Sequence, residues 1–224
     1  MAGAMPQRQV VRRRDLRRGA AAPLGVAGLC VLAMALVWAL AELIPAVQWK
    51  DAALLHDFTL LSGPRVDGPT RFLLHLLNPL QFVLWGVALM AVAVARERSR
   101  VALAVAAVMG LAPLTAETLK PLLAHSHLSV GGVYIGAASW PSGHATAALA
   151  LVYSALLVTP ARLRPLVACV GALFAVAVGC ALLILAWHMP SDVLGGYLTA
   201  TLWAALAVAA IRFSDRRWPP GAPR

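Results

Sequence analysis

Long apolar runs alternate with short polar breaks along almost the whole chain. Runs cover about residues 24–44, 72–95, 101–119, 143–158, 166–187 and 191–211. A helix needs about 20 apolar residues to cross a hydrocarbon layer of about 30 Å. The pattern therefore predicts six spans, and an all-α, six-helix transmembrane bundle is the only architecture that satisfies the backbone of such runs in lipid short of a closed barrel. Some positions modulate the runs. His75, Asn78 and Gln81 recur every three residues and share a face of the second run; polar residues inside a span turn to the bundle, where interhelical hydrogen bonding is the ordinary role. Pro113 is expected to kink the third run, and Gly195 and Gly196 to allow close packing early in the sixth.

The breaks differ in kind. Residues 45–70 form a long first loop, within which 49–61 has helical periodicity suited to lying in the membrane surface, with Trp49 as an interfacial anchor. Gly63-Pro64 and Gly68-Pro69 end that segment, and Asp57, Arg65, Asp67 and Arg71 read as solvated loop charges. Residues 121–140 carry His125, His127, Tyr134 and the glycines 131, 132 and 136, a composition expected of a flexible lid. The breaks at 96–100 and 159–165 are short arginine-bearing turns, and the last is His188-Met189-Pro190.

Composition sharpens the class. Of 224 residues, 61% are hydrophobic and 12% charged, whereas a soluble domain has roughly a quarter charged. The net charge of +10 is not a nucleic-acid footprint, because the arginines flank apolar runs and do not gather on a soluble face. Cys30, Cys169 and Cys180 lie within predicted spans and form neither a disulfide framework nor a metal-type pair.

Charge placement also sets orientation. With six spans both termini share a side. That side holds 15 Lys and Arg residues against 4 on the other, so the positive-inside rule puts the termini in the cytoplasm of a multi-pass cell-membrane protein. Residues 1–22, with Arg8, Arg12, Arg13, Arg14, Arg17 and Arg18, are expected to form a mobile tail on anionic lipid headgroups, and residues 213–224 a second tail. The membrane domain spans 23–212. A cleaved signal peptide is the rival reading of the basic start, but residues 42–47 offer no small-residue cleavage pattern.

Three short stretches carry candidate chemistry. Pro141-Ser142-Gly143-His144 precedes an apolar helix. Helix N-terminal amides are free to bind an anion, Gly143 lets the backbone come close, Ser142 offers a hydroxyl and His144 a proton near neutral pH. Read alone, Pro-Ser-Gly is equally ordinary turn chemistry. In His188-Met189-Pro190-Ser191-Asp192, an imidazole stands four residues before a carboxylate. Once Pro190 opens a helix, the acid can fix the ring's tautomer and strengthen its other nitrogen as base or nucleophile. The plain alternative is a capped helix with an interfacial histidine. Lys120 follows Glu117 by three residues, and either pairs with it or points to an anion with Glu117 orienting it.

Together these stretches resemble the signature of the type 2 phosphatidic acid phosphatase superfamily, which is Lys-x6-Arg-Pro, then Pro-Ser-Gly-His, then Ser-Arg-x5-His-x3-Asp. The second part is complete here. The third keeps His188 and Asp192 with Ala181-Leu182 at the Ser-Arg positions, and the first keeps Lys120 with His127-Leu128 at the Arg-Pro positions. The resemblance implies a six-span membrane phosphatase acting on a lipid phosphate or pyrophosphate, with no metal or other cofactor. It implies that His188 attacks phosphorus, Asp192 holds its ring and His144 protonates the leaving oxygen. Lys120, Ser142, Gly143 and, in place of an arginine, His127 would bind the phosphoryl group. The charge count, made without the motifs, puts Lys120, Ser142, His144, His188 and Asp192 on the outer side.

Polyprenyl, phosphatidic acid and phosphatidylglycerol phosphate substrates fit equally well. A relative that binds lipid phosphate or a protein partner without turnover is the second reading, because Leu182 and His127 stand where the family has arginines. A transporter is disfavoured by the lack of duplicated hydropathy halves. A soluble haloperoxidase-like enzyme is disfavoured by the near absence of any soluble part, and a histidine-rich metal site by the lack of an accompanying carboxylate pair.

Overall fold

The structure is a computed structural model; it describes the backbone of residues 7–217 and the side chains of residues 21–217. Eight α-helices follow in order, with no strand among the described residues: α1 (Gln7–Leu43), α2 (Pro45–Thr59), α3 (Asp67–His75), α4 (Pro79–Ala95), α5 (Ser99–Leu122), α6 (Gly143–Val158), α7 (Arg164–Ile184) and α8 (Pro190–Arg217). Helices α1, α5, α7 and α8 are long and apolar enough to span a membrane. The α3–α4 pair, bent by 52°, is apolar enough for a broken span or a re-entrant loop, and α6 is a shorter apolar helix. The protein is a multi-pass membrane protein.

Burial explains why these runs fold inward and outward as they do. Leu29, Leu32 and Leu36 on α1, Leu80, Val83 and Leu84 on α4, and Leu166, Leu173 and Val176 on α7 are all exposed. Such stripes suit lipid and not water. The interior is built mainly from small residues, including Ala112, Ala116, Ala145, Ala148, Ala181 and Ala200. Where lipid is as apolar as leucine, small residues gain cohesion by letting backbones approach. Helix α8 lies at the centre, against α1, α5 and α6. A Cβ on Gly195 would stand 2.6 Å from the indole nitrogen of Trp140, and one on Gly196 2.6 Å from the backbone oxygen of Ser142. These two glycines therefore seat the Pro-Ser-Gly-His turn directly on α8.

The structure departs from the sequence pattern in several places. The second run is not one helix: α3 stops at His75 and α4 starts at Pro79. Pro79 has no N–H to continue the ladder, and Asn78 before it is extended at ψ 153°. His75, Asn78 and Gln81 fill this break and bond to one another, Asn78 to His75 Nδ1 at 2.7 Å and Gln81 to His75 Nε2 at 3.4 Å. They join the end of α3 to the start of α4.

Helix α7 ends at Ile184, three residues before the expected end. Ala186 takes a left-handed φ of 53°, with Ala186 N–H donating to Leu183 O at 3.0 Å and Trp187 N–H to Leu182 O at 2.9 Å. This pair of hydrogen bonds closes the helix and turns the chain toward His188. Residues 7–22 of the expected N-terminal tail belong to α1, while residues 1–6 and 218–224 of the two tails lie outside the described residues. The loop after α5 has no helix but is docked: Ile135 is buried, Gly131 lies against the His56 ring, and His125 N–H bonds to Ala137 O at 3.0 Å.

Candidate active site

The three motif stretches meet at one end of the bundle. Ser142 is the N-cap of α6, where its hydroxyl oxygen accepts from the Ala145 amide at 3.4 Å. The amides of Gly143 and His144 then begin the helix with no carbonyl to meet, as the first turn of any helix requires. The Ser142 amide donates to the backbone oxygen of Asp192 at 2.9 Å, tying the second motif to the third.

Helix α5 contributes from the side. Lys120 Nζ lies 2.6 Å from Glu117 Oε1, and both press on Gly143. A Cβ there would sit 2.7 Å from Glu117 Oε1 and 3.5 Å from Lys120 Nζ. A side chain there would displace the Glu117 carboxylate and, with it, Lys120. Lys120 is the more enclosed partner, with its side chain 20% exposed against 60% for Glu117.

Asp192 opens α8 and is fully buried. Its Oδ2 accepts from the Met189 amide at 2.9 Å and faces His188 Nδ1 at 3.3 Å. The carboxylate thus sets the Nδ1–H tautomer of His188 and leaves Nε2 free to act. The Trp187 ring packs edge-on against His144 with centroids 5.6 Å apart, and His188 and Lys120 both lie within electrostatic reach of His144. Two imidazoles, one held by a carboxylate, therefore share a site with an ammonium and two free helix amides. That set can bind a tetrahedral anion, attack it and move a proton.

His127 stands on a different set of partners. Its Nε2 is 2.8 Å from Ser139 Oγ and its Nδ1 3.7 Å from Glu42 Oε1. The Leu182 side chain is fully buried in the core, so the family's third-motif arginine position is here a packing position. Arg65, Arg71 and His125 are exposed.

Two acids belong to this region that sequence reasoning missed. Asp51 on α2 receives the Ser191 amide at 3.1 Å and the Ser191 hydroxyl at 2.6 Å, which caps α8 from 140 residues away. Burial pushes the Asp51 carboxyl up from its ordinary 3.8; the Ser191 bonds oppose this, the Asp192 charge adds to it, and His127 opposes it. Glu42, buried at the end of α1, lies within electrostatic reach of both Asp192 and Asp51. In the structure Asp51 precedes Ala52 and Leu55, the buried positions of α2, and so lies beside the inward face.

A search of curated proteins returns no match. Among solved structures, the chain is similar to the first transmembrane PAP2 type phosphatidylglycerolphosphate phosphatase from Bacillus subtilis. The TM-score is 0.69 and the identity 21%, with 88% of this chain and 98% of that one covered. The likeness establishes a shared transmembrane fold. The PAP2 superfamily model matches residues 101–216, which contain all three motif stretches. With a family match over more than half of its length, this chain belongs to the PAP2 superfamily.

Proposed function

We propose that the protein is an integral membrane phosphatase that hydrolyses a lipid phosphate or pyrophosphate through a phosphohistidine, with its site at the outer face. The observation that carries this reading is the His188–Asp192 pair, at 3.3 Å, beside His144 and Lys120.

In the first half-reaction His188 Nε2 attacks phosphorus as the bond to the leaving oxygen breaks, and His144 gives that oxygen a proton. The ring of His188 gains positive charge, which the Asp192 carboxylate at Nδ1 offsets. In the second, His144 takes a proton from water, water attacks phosphorus, and the P–N bond breaks to release inorganic phosphate. Lys120, the Ser142 hydroxyl and the Gly143 amide hold the non-bridging oxygens. Such fixed donors neutralise developing charge directly. Among candidate lipids, phosphatidylglycerol phosphate heads the list, because the similar solved structure is of a phosphatase for it; phosphatidic acid and polyprenyl phosphates follow. The positive-inside distribution supports an extracytoplasmic site.

A second reading, lipid-phosphate binding without turnover, is favoured by the packed Leu182 and by His127 facing Ser139 and Glu42. Each missing donor of this kind is worth ~10²–10³ in rate. The test is phosphate release by purified protein from a panel of lipid phosphates and pyrophosphates with EDTA present, beside His188→Ala. Release that disappears in the variant supports the enzyme. Binding of the same lipids with no release from pH 5 to 8 would overturn it in favour of the second reading.

A further inference from the structure

The end of the bundle opposite the motifs holds a cavity of about 370 Å³ lined by Arg98, Arg164 and Arg212, with Tyr153 and Ile211 among its other walls. It is about 15–21 Å from the site along α6, since its wall residues Tyr153, Leu156 and Leu157 lie on that helix beyond Gly143 and each residue rises about 1.5 Å. Among the described residues no Asp or Glu lines it; Glu97 and Asp215 line a neighbouring cavity that shares Arg98, Val101 and Ile211 with it, and there Asp215 pairs with Arg100.

The arginines are aimed by the fold. Arg98 donates to Val158 O at 3.4 Å and Arg164 Nε to Thr159 O at 3.1 Å, which holds both guanidinium groups over the end of α6. Capping that helix does not account for them. Val158 O already accepts from Arg96 at 3.0 Å, and each guanidinium has five N–H donors of which one is so used.

The arginine chamber is not closed. Tyr153, Ala204, Val208 and Arg212 also line a second cavity of about 400 Å³, which continues to Pro23 and Val26 on α1. That arm is apolar apart from its rim, where Arg212 lies and Tyr153 and Thr201 bond to each other at 3.1 Å, and it is walled by α1, α6 and α8. A cationic chamber joined to an apolar trough has the shape and chemistry of an amphiphile with an anionic head.

We propose that this is a second lipid site, distinct from the phosphatase site, which takes an acidic phospholipid with its phosphate between Arg98 and Arg164 and an acyl chain along the adjoining trough. Arginine suits such a head because its planar fork binds phosphate bidentately and holds its charge. The proposal does not depend on turnover at His188.

The test uses the full chain carrying His188→Ala, in detergent, with native mass spectrometry reading retained lipid. Phosphatidylglycerol, a phosphodiester, is compared with phosphatidylcholine and inorganic phosphate. Phosphatidylglycerol is expected to bind about tenfold more tightly than phosphatidylcholine, and Arg98→Gln with Arg164→Gln to remove that preference. Val208→Trp, which leaves all three arginines in place, is expected to weaken both lipids by fivefold or more by filling the shared wall, so the test survives if the arginine variant fails to fold. Equal retention of the two lipids would overturn the proposal. So would displacement of phosphatidylglycerol by millimolar inorganic phosphate together with a silent Val208→Trp, which would assign the chamber to free phosphate.

Discussion

Asp192→Asn isolates a single physical quantity, because the geometry allows the charge to be removed with little else. Both donors that Asp192 serves, the Met189 amide at 2.9 Å and His188 Nδ1 at 3.3 Å, converge on the same oxygen, Oδ2. Oδ1 is buried without a partner. An asparagine can therefore place its oxygen at the Oδ2 position and keep both bonds, with its NH₂ where Oδ1 was. What is lost is the negative charge beside a ring that becomes cationic during phosphoryl transfer. Two unit charges about 4 Å apart at an effective dielectric near 20 interact by roughly 4 kcal/mol, or about 10³ in rate.

Asp192→Ala differs in a defined way. It also strips the Met189 amide of its acceptor, a loss of about 1–3 kcal/mol of stability for a buried donor. The expectation is thus a split: Asp192→Asn loses about 10³ in kcat with a nearly unchanged thermal midpoint, and Asp192→Ala loses activity and several degrees as well. The assay is single-turnover phosphate release in detergent beside thermal unfolding of the same preparations. If Asp192→Asn retained more than a tenth of wild-type kcat, the carboxylate's electrostatic role would be refuted.

Other outcomes follow from the same packing. Gly143→Ala should lower kcat/KM by about tenfold with little change in melting, because its Cβ meets the flexible, exposed end of Glu117 and displaces Lys120 with it. Gly196→Ala should destabilise by about 1–3 kcal/mol, since its Cβ meets the Ser142 backbone oxygen at 2.6 Å and a backbone cannot swing aside; Gly28→Ala, with nothing within 4 Å, serves as the unaffected comparison. Asp51→Asn should become progressively stabilising relative to wild type as pH rises from 4 to 7.5. A raised folded-state value means the folded protein holds that proton more tightly than the unfolded chain, so wild-type stability falls as pH climbs past the ordinary 3.8. An asparagine still accepts from the Ser191 amide and donates to its hydroxyl, and a difference in melting that stays flat with pH would contradict the argument. Finally, Tyr134→Cys, in the exposed loop after α5, should react with a membrane-impermeant maleimide on intact cells if the site faces outward.

Much of this architecture is written in local chemistry. Hydropathy alone locates the passes, and the spacing of Pro141 to His144 and of His188 to Asp192 marks the meeting point of α6 and α8 before any coordinates. Gly195 and Gly196 announce a close approach, although not that Trp140 and Ser142 are what approach. Other features needed the third dimension. The break at Asn78-Pro79 was legible as proline chemistry, yet the even three-residue spacing of His75, Asn78 and Gln81 pointed to a continuous helix face. Asp51 serves Ser191 across 140 residues, and no local pattern tells a capping acid at that distance from a solvated one. His127 holds the register of a phosphate ligand, but its partners Glu42 and Ser139 come from α1 and from the far end of its own loop. Register alone could not supply that orientation.

The most direct measurement is to quench the enzyme during turnover of a ³²P-labelled lipid phosphate and look for protein-bound label. Covalent catalysis by His188 predicts a phosphoenzyme that survives alkali, is lost in acid, and is absent from His188→Ala. It should accumulate in His144→Ala with a good leaving group, because the water step then lacks its base. Turnover with no trapped label in either background, or label that persists in His188→Ala, would contradict it.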